Sequence, residues 1–144
     1  MMFLFMGNSQ TVQKINYEDM QNLSSKKNSI IINTLAQYDQ GCLIQNTLNI
    51  EDEVSVLNDC MKRDKSIRII VYGRNCNDES IYKKHKQLSE LGFTNVSLYV
   101  GGMFEWLLLQ DIYCEENFPT TQKESDILKY KPVSLLNPRL IQFN

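Results

Sequence analysis

Three short apolar runs, rich in β-branched side chains and bounded by polar turns, predict buried strands. They cover residues 30–32, 67–72 and 96–100. Continuous apolar runs of this length are typical of strands buried on both faces, as in a parallel sheet. A weaker run at residues 42–48 predicts a further strand or two shorter pieces.

Helical patterns alternate with these runs. They predict four helices, at residues 17–23, 51–63, 78–91 and 103–112. The first should begin after Asn16, a good N-cap, and the third should end at Gly92, which suits the left-handed position after a helix. In the second helix, Val54, Leu57 and Met61 recur at spacings of three and four and predict its inner face. Helices that alternate with buried strands predict an α/β domain.

Composition limits the size and class of the protein. The chain has 144 residues, 42% of them hydrophobic, with 15 basic and 17 acidic side chains. This is enough for one ordinary core, and it excludes two full domains or a chain that is disordered throughout. A net charge of −2 gives no global attraction for phosphate, so we expect no nucleic-acid partner. We predict an extension at residues 1–11, a domain at 12–121 and a more polar appendage at 122–144, with a short helix at 125–130.

The cysteines do not predict a metal site. Cys42, Cys60, Cys76 and Cys114 form no CxxC pair, and the chain has a single histidine, so we expect no metal and no cofactor. Free thiols are typical of a reducing compartment. No apolar run approaches the roughly 20 residues of a membrane-spanning helix, and the start does not resemble a secretory signal. We therefore expect a cytoplasmic protein.

A resemblance to rhodanese-like domains is most specific in residues 92–106, GFTNVSLYVGGMFEW, which resemble that family's GFxNVxxLxGGxxxW stretch. Residues 67–72 are similar to its VVY strand, and residues 44–50 to its IPGAINI segment. The likeness extends from about residue 12 to residue 121. It implies a central parallel sheet flanked by helices on both faces. It also implies a sulfurtransferase activity in which a cysteine at a strand end, surrounded by loop amides, accepts sulfur from thiosulfate or another anionic donor.

The sequence departs from the family pattern at the loop where this chemistry should occur. The family reads VYC followed by xxGxRS, whereas Gly73 takes the usual nucleophile position here. The predicted active-site loop consists of Gly73, Arg74, Asn75, Cys76, Asn77, Asp78, Glu79 and Ser80. Residues 32–35 read INTL where the family has IDVR, so an acid and an arginine are missing as well. These departures predict a divergent member that acts as a non-catalytic binding or regulatory module.

An alternative is a sulfurtransferase that uses Cys76 as a displaced nucleophile. Cys76 lies three residues past the usual position and just before a predicted helix, where the helix dipole could favour a thiolate and Arg74 could stabilise an anion. Asp78 and Glu79 oppose this hypothesis, because they would repel a negatively charged donor. The ligand would then be an anionic sulfur donor in the enzyme hypothesis and a protein partner in the binding hypothesis. We do not expect a phosphatase, because no CxxxxxR motif follows Cys76.

Two further patterns bear on partners and localisation. Residues 6–11 fit the M-G-x-x-x-[ST] motif, so Gly7 could be myristoylated, and the protein could bind a membrane, only if translation begins at Met6. The apolar residues 1–5 predict a homodimer contact and with it a structural or dimerising protein as a third hypothesis. His85, with Lys83, Lys84 and Lys86 around it, is expected on a solvated helix face beside the inner stripe of Ile81, Leu88 and Leu91.

Overall fold

A parallel sheet of four strands forms the centre of the molecule. The computed structural model describes residues 11–136. The strands are β1 (Gln13–Ile15), β2 (Ile30–Asn33), β3 (Ile69–Tyr72) and β4 (Val96–Tyr99), in the spatial order β1-β4-β3-β2. Every pair is parallel, as the apolar runs predict for β2, β3 and β4. The pattern does not predict β1, because this short edge strand has two exposed polar residues out of three.

Three helices connect the strands and a fourth follows the last strand, as the sequence predicts. They are α1 (Tyr17–Ser25), α2 (Glu53–Arg63), α3 (Ser80–Glu90) and α4 (Gly102–Tyr113). Asn16 caps α1, because its Oδ1 accepts the Asp19 N–H at 2.9 Å while the Asp19 side chain accepts the Asn16 N–H at 3.3 Å. Gly92 follows α3 with φ of 101°, as expected for a glycine after a helix end. Residues Ile50–Asp52 form a separate 3₁₀ turn before α2.

The sheet has a hydrophobic core on each face. Alternate residues of β3 separate the two cores: Ile70 and Tyr72 face α1 and α4, whereas Ile69 and Val71 face α2 and α3. The first core contains Met20, Ile31, Tyr99, Met103, Trp106, Leu107, Phe118 and Tyr130, and the second contains Ile32, Leu57, Ile81, Leu88, Phe93, Val96 and Leu98. The helices therefore flank both faces of the sheet, as the family resemblance implies.

Three sequence-based expectations about local structure are wrong. Residues 42–48 do not form a strand, because Asn46 adopts φ of 71° and only isolated bridges form, between Ile44 and Thr120 and between Thr47 and Ile31. Val54 is 71% exposed, since the inner stripe of α2 passes through Leu57 and its neighbours Val56, Cys60 and Met61. On α3 the inner stripe is Ile81, His85 and Leu88, so His85 is buried and Leu91 is exposed.

The polar segment after residue 121 packs against the first core. A 3₁₀ helix at Ile127–Tyr130 replaces the longer helix expected at residues 125–130. Its last residue, Tyr130, is fully buried in the same cluster as Trp106. The division of the chain at residues 11/12 and 121/122 stays a prediction.

Two kinds of feature are absent from the described residues, 11–136. No helix in this part of the chain is long and apolar enough to cross a membrane. Nor does this part contain a group of three or more His, Cys, Asp or Glu side chains placed to hold a metal ion. Gly7 and the apolar residues 1–5 lie outside the described residues, so the myristoylation and dimer hypotheses stay predictions.

Candidate functional site

The predicted loop lies where the carboxyl ends of the strands meet. Residues 73–79 connect β3 to α3, between Thr34, which follows β2, and Gly101 and Gly102, which follow β4. Ligands of open parallel sheets bind at this edge. Gly102 allows close contact here, because it has φ of 66° and a Cβ on it would lie 2.6 Å from the carbonyl oxygen of Gly73. The backbone at the start of α4 thereby fixes the loop, with Met103 N–H donating to the Gly73 oxygen at 2.9 Å.

The Asp78 carboxylate fills the space beside Gly73. A Cβ on Gly73 would lie 2.2 Å from Asp78 Oδ2 and 2.8 Å from Thr34 Oγ1. Asp78 Oδ2 accepts the Arg74 N–H at 2.9 Å, and Asp78 Oδ1 accepts the N–H of Ser80 at 2.9 Å and its hydroxyl at 2.5 Å. Three donors at the loop and the start of α3 therefore hold the carboxylate in place.

The side chain of Asn75 organises the middle of the loop. Asn75 is buried, and its Oδ1 accepts the Asn77 N–H at 2.9 Å. Its Nδ2 donates to the Tyr130 carbonyl at 2.8 Å, while its backbone carbonyl accepts the Asp78 N–H at 3.2 Å. Asn75 thus connects the two ends of the loop to residues 122–136, which we call the C-terminal segment.

Arg74 binds the same segment. Its Nη1 lies 2.6 Å from Oδ2 of the buried Asp39, its Nη2 donates to the Lys129 carbonyl, and its Cζ lies 5.1 Å from the Tyr130 ring centroid. Lys129 Nζ lies 3.6 Å from Asp39 Oδ1 and 2.7 Å from Glu124 Oε1. The hydrogen bond to Glu124 raises the pKa of Lys129 well above its usual value, so this side chain stays charged at neutral pH. The Arg74 guanidinium thus contacts Asp39, the Lys129 carbonyl and the Tyr130 ring. Its role as an anion stabiliser stays a prediction.

Cys76 lines an open groove. Its side chain is exposed, and Sγ lies 3.8 Å from Asn77 Oδ1. The groove has a volume of about 1040 Å³ and is lined by residues 74–79 and Tyr82, and by Leu128, Val133 and Leu135 of the C-terminal segment. Cys114 is also exposed, but it is not among the described residues that line this groove. Cys42 is buried and Cys60 is half-buried, and burial raises the pKa of both thiols.

Sequence reasoning did not identify three residues that shape this site. They are Thr34, Asp39 and Tyr130. Asp39 lies in a 3₁₀ turn, Gln37–Asp39, and no motif or spacing in the sequence indicates that its carboxylate is buried against Arg74. Tyr130 is the only one with a signal, since it is an aromatic residue at the end of the predicted short helix at residues 125–130.

The fold of the chain is shared with solved rhodanese-like structures. The solution structure of the rhodanese-like domain from the Alr3790 protein of Anabaena sp. superposes with a TM-score of 0.57 at 21% identity and covers 87% of this chain and 88% of its own. A crystal structure of the Alr3790 protein gives a TM-score of 0.56 at 19% identity, over 81% of this chain and 100% of that chain. At these identities the likeness shows the fold alone.

A sulfurtransferase has the same fold. The single-domain sulfurtransferase RDL2 of Saccharomyces cerevisiae superposes with a TM-score of 0.51 at 15% identity, over 74% of this chain and 97% of its own. A search of curated protein sequences found no match. The family model described as the rhodanese-like domain matches residues 16–109, which is well over half of the chain. The chain therefore belongs to the rhodanese-like domain family.

Proposed function

We propose that this rhodanese-like domain is a non-catalytic binding module. The observation that supports the proposal is at the end of β3, where residue 73 is a glycine and the Asp78 carboxylate fills the space that a side chain there would occupy. Residue 73 is the position where the family resemblance expects the nucleophilic cysteine.

Sulfur transfer at this position would need a thiolate and free loop amides. In the mechanism that the resemblance implies, the thiolate attacks the sulfane sulfur of thiosulfate, the S–S bond of the donor breaks, and sulfite leaves with the bonding electron pair. The product is a cysteine persulfide. Gly73 has no sulfur, and the N–H groups of Arg74 and Asn77 already donate to Asp78 and Asn75. Both facts support binding without turnover at residue 73.

We infer that the ligand occupies the groove beside the loop. Its walls combine polar loop residues with the exposed apolar side chains of Leu128, Val133 and Leu135. A concave surface that pairs apolar contacts with a few placed polar groups is typical of binding sites. In this proposal Arg74 and Asn75 are positioning residues, because they hold the loop against the C-terminal segment.

A sulfurtransferase that uses Cys76 is the second candidate function. One observation favours it: the Cys76 thiol is exposed within the loop and faces a groove large enough for a small donor. In this alternative the Cys76 thiolate would form the persulfide by the same displacement of sulfite. Asp78 and the exposed Glu79 weigh against it, because two carboxylates near the thiol would repel a dianionic donor.

Intact mass after incubation with thiosulfate separates the two functions. We expect the mass of the wild-type protein to stay unchanged, because residue 73 cannot form a persulfide. A gain of one sulfur atom, about 32 Da, would contradict the proposal and support the enzyme if Cys76→Ser abolished it. Cys114→Ser is the matched control, since Cys114 is also exposed but does not line the groove.

A further inference from the structure

The Asp78 carboxylate is bound by the loop in the way that an external anion would be. Its two oxygens accept hydrogen bonds from the Arg74 N–H, the Ser80 N–H and the Ser80 hydroxyl, at 2.5 to 2.9 Å. Backbone N–H groups directed at one point and next to the start of a helix form a site that favours negative charge. Here the negative charge is supplied by the chain itself.

No room is left for a second anion at this point. Asp78 Oδ2 lies 2.2 Å from the position of a Cβ on Gly73, and Thr34 Oγ1 lies 2.8 Å from that position on another side. Any oxyanion that approached the same donors would have to displace the carboxylate. It would also meet the charge of the neighbouring Glu79, which is exposed.

The nearby cations do not offset this negative charge for an incoming ligand. Arg74 is paired with Asp39, and Lys129 is paired with both Asp39 and Glu124. Among the described residues that line the groove, Lys131 is the one basic residue for which the structure shows no ion pair. The hydrogen-bond donors of the loop, which are the N–H groups of Arg74 and Ser80 and the Ser80 hydroxyl, thus face the Asp78 carboxylate.

We propose that Asp78 is a specificity-determining residue, a built-in anion that excludes oxyanions from the loop. The groove consequently accepts ligands whose loop-facing group has no negative charge. This inference rests on the proposed function and specifies its ligand class. It predicts that removal of the carboxylate converts the closed loop into an oxyanion site.

The test is thermal unfolding in sodium thiosulfate, compared with sodium chloride of equal ionic strength. We expect Asp78→Ala to unfold about 2–4 °C higher in thiosulfate than in chloride, since an anion that binds only the folded state stabilises it. The wild-type protein should show only the general stabilisation that thiosulfate, as a kosmotropic anion, gives to folded proteins, and the effect in each variant is counted beyond this difference. Asp78→Ser should behave like Asp78→Ala, and it keeps a side chain that can cap α3 if the alanine variant does not fold.

Two control variants separate the effect of emptying the space that the Asp78 side chain occupies from the effect of removing one negative charge. Asp64 forms two of the three hydrogen bonds that Asp78 forms, those to the serine two residues later, because its Oδ1 accepts the N–H of Ser66 at 2.9 Å and the Ser66 hydroxyl at 2.5 Å, but it does not line the groove. Asp64→Ala therefore loses one negative charge and two similar hydrogen bonds, and should gain no thiosulfate effect. Asp78→Asn keeps the side-chain volume and should also gain none.

Three results would overturn the inference. They are the absence of a thiosulfate effect in both Asp78→Ala and Asp78→Ser, an equal effect in Asp64→Ala, or an equal effect in Asp78→Asn. Failure of the proposed function is a different result, because it would be a persulfide on Cys76 of the wild-type protein, detected by mass.

Discussion

His85 is buried on the inner stripe of α3. Its side chain lies between Ile81 and Leu88 and is 7% exposed, although three lysines surround it in the sequence. Burial lowers the pKa of His85 below the ordinary value of 6.5, because the protonated imidazole is poorly solvated there. The burial of one residue thus makes the stability of the protein depend on pH.

We expect the protein to lose stability as the pH falls below about 6.5. The unfolded chain has the higher His85 pKa and so takes up a proton first, which favours unfolding until the pH drops below the lower folded-state pKa. His85→Gln should have a flatter profile, because it removes the only histidine. Melting temperatures of both proteins between pH 7.5 and 5 check this. Parallel profiles would contradict the assignment.

The loop shows what a sequence can predict at the scale of residues. Its position after β3, the glycine at residue 73 and the thiol at Cys76 all follow from the resemblance and the printed residues. The location of the Asp78 side chain does not follow, because it depends on the loop folding back over five residues until the carboxylate reaches the Arg74 N–H. From the sequence, Asp78 is expected only to repel a negatively charged donor.

Among the elements, α4 is fixed by one large side chain. Trp106 is fully buried, and its ring packs edge-on against Phe118 at 5.0 Å and Tyr99 at 6.0 Å between centroids. Its Nε1 donates to the Pro119 carbonyl at 3.2 Å. Trp106 therefore connects α4 to β4 and to the segment that follows the helix.

Trp106→Ala should lower the free energy of unfolding by about 3–5 kcal/mol, because it leaves a large cavity and removes one of the two hydrogen bonds to the Pro119 carbonyl, which keeps the Gln45 N–H. Ile112→Ala, on the same helix but 67% exposed, should change it by no more than about 0.5 kcal/mol. Chemical denaturation of both variants checks the difference. Equal losses would show that the core contact of α4 is not at Trp106.

Periodicity predicts elements better than it predicts their exact faces. The four helices and the strands β2, β3 and β4 follow from apolar spacing, because their burial repeats over several residues. Val54 is the exception within α2, since the 3₁₀ turn at Ile50–Asp52 precedes the helix and the inner stripe begins later than the spacing indicates. The edge strand β1 has too few buried residues to produce a pattern.

At the scale of the whole molecule, the loop and the C-terminal segment form one unit. Arg74 and Asn75 donate to two consecutive carbonyls, those of Lys129 and Tyr130, while Tyr130 itself is buried in the core. The Arg74 guanidinium also contacts the carboxylate of Asp39 and the ring of Tyr130. The residues that form these contacts lie far apart in the sequence. Because composition does not report such contacts, it indicated an appendage.

Arg74→Ala should loosen the C-terminal segment and lower the free energy of unfolding by about 1–3 kcal/mol, since it leaves the buried Asp39 with only Lys129 at 3.6 Å. Tryptic cleavage after Lys123 and Lys129, followed by mass spectrometry, should become faster than in the wild type. Arg63→Ala is the matched control, because Arg63 pairs with Asp59 at the exposed surface. Unchanged cleavage in Arg74→Ala would contradict this account.

The close approach of Asp78 to Gly73 also limits how the loop can change during evolution. A cysteine introduced at residue 73 alone would collide with the carboxylate, because its Cβ would fall 2.2 Å from an oxygen. Loss of the carboxylate alone would remove a helix cap without supplying a thiol. A strand-end cysteine at residue 73 therefore requires that the Asp78 side chain be replaced or displaced, and that the Thr34 hydroxyl, 2.8 Å from the same Cβ position, give way as well.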